Sequence, residues 1–224
     1  MDTSSISCSH EYLLDLMPYP ASIKCADGTY VGANKVMSNL CGFKDPKKMI
    51  GCRDTDLKCP AADMSDIFIA EDIKTIKKNI INKTVDICTY SDNKIHICLS
   101  TKRKIIDSNN KAFVFLLINE LTEEFMKNKI FITKDTPLNQ QISFNIGRYF
   151  PETTLSVRES ECYYYLLRGY TAKETAKALG SLSNRTVESH IDSIKLKLKC
   201  STKRNLIDYG FSNKLTSFIP ESLL

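Results

Sequence analysis

The chain has 224 residues, with 31 Lys and Arg against 26 Asp and Glu for a net charge of +5, and is 42% hydrophobic and 25% charged. That length suits one or two domains of ordinary globular composition and excludes a low-complexity or disordered chain. No apolar run approaches the ~20 residues of a membrane span, and residues 1–10 lack a basic start followed by an apolar stretch, so a cytoplasmic chain with no membrane partner is expected.

Residues 12–17 read as a short apolar helix, residues 21–25 as a strand, Asp27-Gly28 as a hairpin turn and residues 30–33 as a second strand. A helix carrying Val36, Met37 and Leu40 follows, then a turn-rich stretch over residues 42–60. Ile69, Ile73, Ile76 and Ile80 recur at i, i+4, i+7 and i+11, which predicts a longer helix with a buried isoleucine stripe and with Lys74, Lys77 and Lys78 in water. Residues 84–90, 94–106 and 112–120 read as three closing strands.

Two strands, short helices, a longer helix and three strands make an order that resembles a PAS sensory domain. The run Ile50-Gly51-Cys52-Arg53-Asp54-Thr55-Asp56-Leu57 is similar to an Ile-Gly-Lys-x-Asp-x-Asp-Leu element of many bacterial PAS domains. A phosphoacceptor receiver is the other common partner of the C-terminal unit described below. It would need an acidic pair after the first strand, and Ser22-Ile23-Lys24-Cys25 has none. The PAS-like sensory or dimerisation domain is assigned to residues 10–121.

If one sheet face is buried, Val85 and Ile87 share it with Ile95, Ile97 and Leu99, which requires an odd-numbered turn near Asp92. One such register sets Cys88 opposite Cys98 and Tyr90 opposite His96, with these four on the face away from the helices. Packing is the expected role of that face; a Cys88–Cys98 redox pair, or a metal site with His96, is the sharper alternative. The inner face is then Ile87, Ile97, Leu99, Phe115 and Leu117 against Met37, Leu40, Ile73 and Ile76, either a solid core or the lining of a cavity for a small molecule. Haem is disfavoured, since His10 is terminal, His96 points outward and His190 lies elsewhere. Flavin photochemistry is disfavoured too, because Asn39-Leu40-Cys41-Gly42-Phe43 has the wrong order for its cysteine motif, which leaves Cys41 in the core. No cofactor is required by any motif.

Residues 122–150 read as a connector. The segment has Pro137 and, at its end, Pro151, but Phe131, Phe144, Tyr149 and Phe150 are too many aromatics for a free tether, so a docked coupling segment is expected.

Beyond it, Ser156 with Glu159 and Thr171 with Glu174 each set a hydroxyl three residues before a carboxylate, the reciprocal pattern of a helix start. Ser183 and Ser201 offer two further N-caps, giving four short helices over residues 151–212 and a tail over residues 213–224. In the third helix, residues 184–198, Val187, Ile191, Ile194 and Leu198 form the core stripe. Arg185, Glu188, Ser189, Asp192, Lys195 and Lys199 line the opposite side. From Ser183 to Arg204 six basic residues (Arg185, Lys195, Lys197, Lys199, Lys203, Arg204) face Glu188 and Asp192, a local net of +4. Positive charge is thus concentrated on one helical unit, as nucleic-acid binding requires.

The Arg-Glu, Gly-x-x-x-Lys-Glu, Arg-Thr-Val and Ile-Lys-x-Lys-Leu elements within residues 155–207 strongly resemble the C-terminal helix-turn-helix of LuxR-type bacterial transcription regulators. The resemblance implies a positioning helix over residues 171–179, a recognition helix over residues 184–198, and a last helix that helps pair two subunits on double-stranded DNA. By matching position it puts Glu188, Ser189 and Asp192 at base edges; Lys173, Arg185, Thr186, Lys195 and Lys199 are candidates for phosphate contacts. Two departures stand out. The turn Leu179-Gly180-Ser181-Leu182-Ser183 aligns one residue longer than the family's, and the base-reading trio is unusually acidic, suited to a cytosine amine. A surface ion pair of Glu188 with Lys195 or Arg185 is the plainer reading of that residue.

The fold class expected is α+β: an N-terminal PAS-like domain with helices on one face of an antiparallel sheet, and a C-terminal four-helix LuxR-type domain. The function expected is a homodimeric DNA-binding regulator, paired through the PAS domain, the last helix or both, that senses a small molecule or a state. A PAS domain used only for dimerisation is the alternative. Nine cysteines, with no Cys-x-x-Cys and an odd total, resemble neither a zinc site nor a disulfide framework and are expected to be mostly small buried hydrophobes. A thiol-based redox-responsive protein is a further alternative. Among catalytic patterns there is no Gly-x-Ser-x-Gly, phosphate-cradling glycine loop or His-Glu-x-x-His, so an enzyme is not expected.

Overall fold

A computed structural model describes residues 12–123 and 142–224. His10, Cys8 and the connector residues Phe131 and Pro137 lie outside them. The chain forms two compact units that divide between residues 143 and 144. Among the described residues, no helix is long and apolar enough to cross a membrane.

The first unit opens with a helical turn at residues 12–15, then β1 (Ala21–Lys24), β2 (Tyr30–Ala33) and α1 (Lys35–Leu40). The β1–β2 turn is the expected one at Asp27-Gly28, where Gly28 supplies φ +82°. Asn34 caps α1, its side chain accepting from the Met37 amide at 2.9 Å. Three 3₁₀ turns (Pro46–Lys48, Asp54–Asp56, Pro60–Met64) fill the turn-rich stretch before α2 (Ser65–Lys78). Then β3 (Asn82–Thr89), β4 (Ile95–Ile106) and β5 (Ala112–Glu120) complete an antiparallel arrangement ordered β2-β1-β5-β4-β3. This is the PAS arrangement of an α+β unit.

The sheet register corrects two expectations. The turn parity is as expected, with Ile87 opposite Ile97 and Val85 opposite Leu99, but the register is shifted by two: Cys88 lies opposite His96 and Asp86 opposite Cys98. The face assignment is inverted. Cys88, Tyr90, Cys98, Leu116 and Ile118 form one core with Met37, Cys41 and Met64 on the helix side. Ile87, Ile97, Leu99, Phe115 and Leu117 point the other way, where Phe115 and Leu117 pack on a second cluster of Leu14, Ala21 and Ile23. Of the nine proposed lining residues, Met37 and Leu40 keep their place on the helix side, Leu40 only at its margin.

The isoleucine stripe of α2 is also not its buried face. Ile73 and Ile76 are half-buried and Ile80 is exposed, whereas Glu71, Asp72 and Thr75 are buried. The cause is the polar inner surface of the sheet, where Ser22, Lys24, Asp86, Ser100 and Lys102 are all buried. Buried ammonium groups must be paired, so the helix turns its acidic side inward.

β6 (Ile142–Gly147) runs across the division between residues 143 and 144, and the second unit continues with α3 (Val157–Leu167), α4 (Ala172–Leu179), α5 (Asn184–Lys197), α6 (Lys203–Ser212) and β7 (Phe218–Pro220). β6 and β7 pair in parallel, Asn145 opposite Phe218 and Ile146 opposite Ile219. The connector thus contains a strand, and the expected tail is folded, with Phe218 and Ile219 buried. Phe150 is buried as well, its ring 5.2 Å from that of Tyr163 and 4.6 Å from that of Phe218.

Candidate nucleic-acid interface and interior cavity

The four helix starts are built by side chains. At α3 the Ser156 hydroxyl accepts from the Glu159 amide, and the Glu159 carboxylate accepts from the Ser156 amide at 2.6 Å. Thr171 and Glu174 repeat this at α4. Ser183 caps α5, accepting from the Thr186 amide at 3.1 Å. For α6 the cap is Thr202, not Ser201; its hydroxyl accepts from the Asn205 amide at 3.1 Å. Gly180 ends α4 in the left-handed conformation, φ +66°, so the chain reverses within the turn before Ser183.

α5 carries the expected two faces. Val187, Ile191 and Ile194 are buried, while Arg185, Thr186, Glu188, Ser189, Asp192 and Lys199 are exposed and Lys195 is half-exposed. Lys173 is exposed near the start of α4. Glu188 stands in an open cleft with Thr171, Lys173, Asn184 and Lys203, at the angle between α4 and α5. Lys195 pairs with Asp192 at 2.7 Å rather than with Glu188. The Ser189 hydroxyl donates to the Arg185 carbonyl at 3.0 Å. All three central side chains of this face therefore offer acceptors.

The face is held rigidly from behind. The Glu159 carboxylate, buried at the start of α3, also accepts from Ser193 Oγ at 2.6 Å and Lys197 Nζ at 2.7 Å on α5. Burial pushes this carboxyl up, but the bonds from Lys197, Ser156 and Ser193 outweigh it and hold it down at about 2. Tyr163 Oη donates to the Leu206 carbonyl at 2.7 Å, which fixes α6 on α3.

In the first unit, Lys24 Nζ lies 2.8 Å from Asp54 and 2.7 Å from Asp72; Lys102 Nζ lies 2.9 Å from both Glu71 and Asp72 and donates to the Phe68 carbonyl at 3.1 Å. Tyr30 Oη donates to Asp54 at 2.7 Å. Burial pushes Glu71 up; the Lys102 charge opposes this and the Asp86 charge adds to it. Ser143 Oγ bonds Asp86 at 2.6 Å and Glu71 at 3.1 Å. Lys24, Tyr30, Asp54, Asp86 and Lys102, with Met37, Cys41, Phe68, Tyr90 and Leu116, line a cavity of about 20 Å³, room for roughly one water molecule. His96 sits at the end of the same face, bonded to Asp92 at 3.0 Å and Glu120 at 2.6 Å.

Residues 153–210 match the family model for bacterial regulatory proteins of the luxR family. They are a LuxR-type helix-turn-helix domain. Among curated protein sequences none matches this chain. Among solved structures, the Vibrio cholerae VqmA dimer without target DNA, described with LuxR-type receptors, aligns over 100% of this chain and 93% of its own at 25% identity and a TM-score of 0.52. The phage VqmA–DPO complex aligns over 99% of this chain and 93% of its own, at 26% identity and a TM-score of 0.52.

Within the LuxR-type domain, the sequence pattern around Glu159 showed only the cap and not its tie to α5. In the PAS unit it missed Lys24, Tyr30, Asp54, Asp72 and Lys102. Asp54 lies inside the Ile-Gly-x-x-Asp run, and Lys24 and Lys102, charged residues within predicted strands, were the signal available for the lysines; Tyr30 and Asp72 carried none.

Proposed function

We propose that this chain is a transcription regulator that binds double-stranded DNA as a homodimer in the bacterial cytoplasm, with its PAS unit, residues 10–121, receiving a small-molecule signal. The observation that supports it most is helix α5, whose Val187, Ile191 and Ile194 are buried while Arg185, Glu188, Ser189 and Asp192 on its opposite face stand in solvent. Glu188, Ser189 and Asp192 read bases, and as acceptors they select the amines of cytosine and adenine. Lys173, Arg185, Thr186, Lys195 and Lys199 contact phosphates and set register. Selection of binding sites from random duplexes, followed by titration at several salt concentrations, tests this. Arg185→Ala should weaken binding to all sequences and lower the salt slope by about one; binding without salt dependence, or unchanged by the substitution, contradicts it.

Phage VqmA is solved with DPO, and Lys24, Tyr30, Asp54 and Lys102 put polar groups around the interior cavity of the PAS unit here. The cavity volume of about 20 Å³ favours a second reading, a filled PAS core used for pairing subunits. Thermal melting of the full chain with DPO separates them: a rise in Tm that Tyr30→Phe reduces supports the sensor, and no shift supports the pairing module.

A further inference from the structure

His96 joins the turn between β3 and β4 to the end of β5. It is the second residue of β4, with a side chain 16% exposed, and lies opposite Cys88 of β3. Its Nδ1 is 2.6 Å from Glu120 Oε2 at the end of β5, and its Nε2 is 3.0 Å from Asp92 Oδ1 in the turn. Carboxylates only accept, and a neutral imidazole has one N–H. Two carboxylates bonded at once therefore need the imidazolium, whose two nitrogens both donate.

The partners on both sides are themselves fixed. Asp92 Oδ1 also accepts from the Lys94 amide at 3.0 Å. Glu120 accepts from the Thr122 hydroxyl, and Thr122 Oγ1 accepts from the Ile97 amide at 2.9 Å. The turn has a second anchor on α1, since the Ser91 amide donates to the Leu40 carbonyl at 3.2 Å and the Ser91 hydroxyl to the Asn39 carbonyl at 2.9 Å. Lys94 is the other charged group of the turn, and the Tyr90 ring of β3 stands edge-on to the imidazole at 5.4 Å between centroids. Tyr90, Cys88 and Cys98, at neighbouring positions of β3 and β4, are neutral, because burial pushes all three up. Burial also opposes the charge on His96, but the bonds to Glu120 and Asp92 outweigh it and hold the imidazole above its ordinary range.

We propose that His96 is a proton-operated clasp through which the PAS unit responds to pH, independently of any occupant of its cavity. Charged, it holds the β3–β4 turn to the end of β5. On losing the Nε2 proton it keeps the shorter bond, from Nδ1–H to Glu120, and turns a lone pair toward Asp92, which is pushed off. The turn is then held to α1 through Ser91 but no longer to β5, and the end of α1 loosens with it. Met37 in α1 and Cys41 at its close line the interior cavity, so the proton reaches that wall through the turn. The folded value lies above the ordinary ~6.5. The clasp is therefore complete below the ordinary value and is lost as pH rises through the folded one.

The test follows the imidazole protons of the full chain by NMR and its amide hydrogen exchange by mass spectrometry, without added ligand, from pH ~5 to ~8. His96→Gln identifies the His96 signals. His96 should titrate above ~6.5. Through that titration, exchange at residues 91–94 and 39–42, corrected for its intrinsic rise with pH, should increase about two- to fivefold, the scale of one exposed ion pair. His96→Gln should show the faster exchange at every pH, and Asp92→Asn should do the same while lowering the His96 titration. A His96 that titrates at or below ~6.5 overturns the proposal, as does protection of residues 91–94 that stays constant through the titration or keeps its wild-type pH profile in His96→Gln.

Discussion

Glu159 accepts from the Ser156 amide at its own helix start and from Ser193 and Lys197 on α5. One carboxylate thus caps α3 and fixes α5. Its folded pKa, about 2, lies below the ordinary glutamate value of ~4.3, so its contribution is complete above the unfolded value and is lost as pH falls through the folded one. Glu159→Gln should cost about 1.5–3 kcal/mol at neutral pH, as expected for a charge-assisted bond. In thermal melts the difference from wild type should shrink steadily below pH ~4.5; a constant difference down to pH ~2.5 would show that the charge is not what matters. Asp72 is the corresponding residue of the PAS unit. It is fully buried between the Lys24 and Lys102 ammonium groups, and Asp72→Asn leaves both under-compensated. Breaking a buried pair typically costs about 3–5 kcal/mol, so urea unfolding should find the first unit the less stable by such an amount.

Helix ends carry a second kind of information. α5 finishes with Lys199 at φ +55°, its amide bonded to the Leu196 carbonyl at 3.3 Å and the Cys200 amide bonded to the Lys195 carbonyl at 2.8 Å. Glycine is usual in that left-handed closing position, and a side chain there costs about 1 kcal/mol. Lys199→Gly should therefore raise Tm by several degrees, about 4–8 °C per kcal/mol for a unit this size, while weakening DNA binding by one phosphate contact. A variant that gains stability and keeps wild-type affinity removes Lys199 from the interface. Elements of this kind were legible because their determinants are local: Ser156 with Glu159 and Thr171 with Glu174 name two helix starts without any tertiary input. The sheet faces were not. Both sides of β3, β4 and β5 are covered, so apolar alternation could not tell inside from outside. The α2 stripe misled for the same reason, since Asp72 and Glu71 are drawn inward by lysines on strands distant in sequence. Ser201 and Thr202 show the limit of a cap reading, where adjacent hydroxyls leave the choice to the helix packing.

The sequence boundary at residue 151 leaves part of the second unit's packing outside it. Residues 144–150 belong to the second unit. Asn145 to Gly147 pair with Phe218 to Pro220, and Phe150, 1% exposed, fills the space between Tyr163 and Phe218. Neither contribution is visible as a helix pattern, because a three-residue parallel pairing joins segments some seventy residues apart and leaves no periodicity to read. A fragment of residues 144–224 should melt as one cooperative unit with the helical circular dichroism of α3 to α6. A fragment of residues 151–224 lacks the Phe150 ring, whose loss alone resembles a Phe→Ala core truncation of about 3–5 kcal/mol, and it strips β7 of its strand partner. Its Tm should be at least ~10 °C lower, and Phe150→Ala in the longer fragment should reproduce most of the drop. Equal melting of the two fragments would mean that β6, β7 and Phe150 add nothing to the LuxR-type domain, whose stability would then rest on the four capped helices alone.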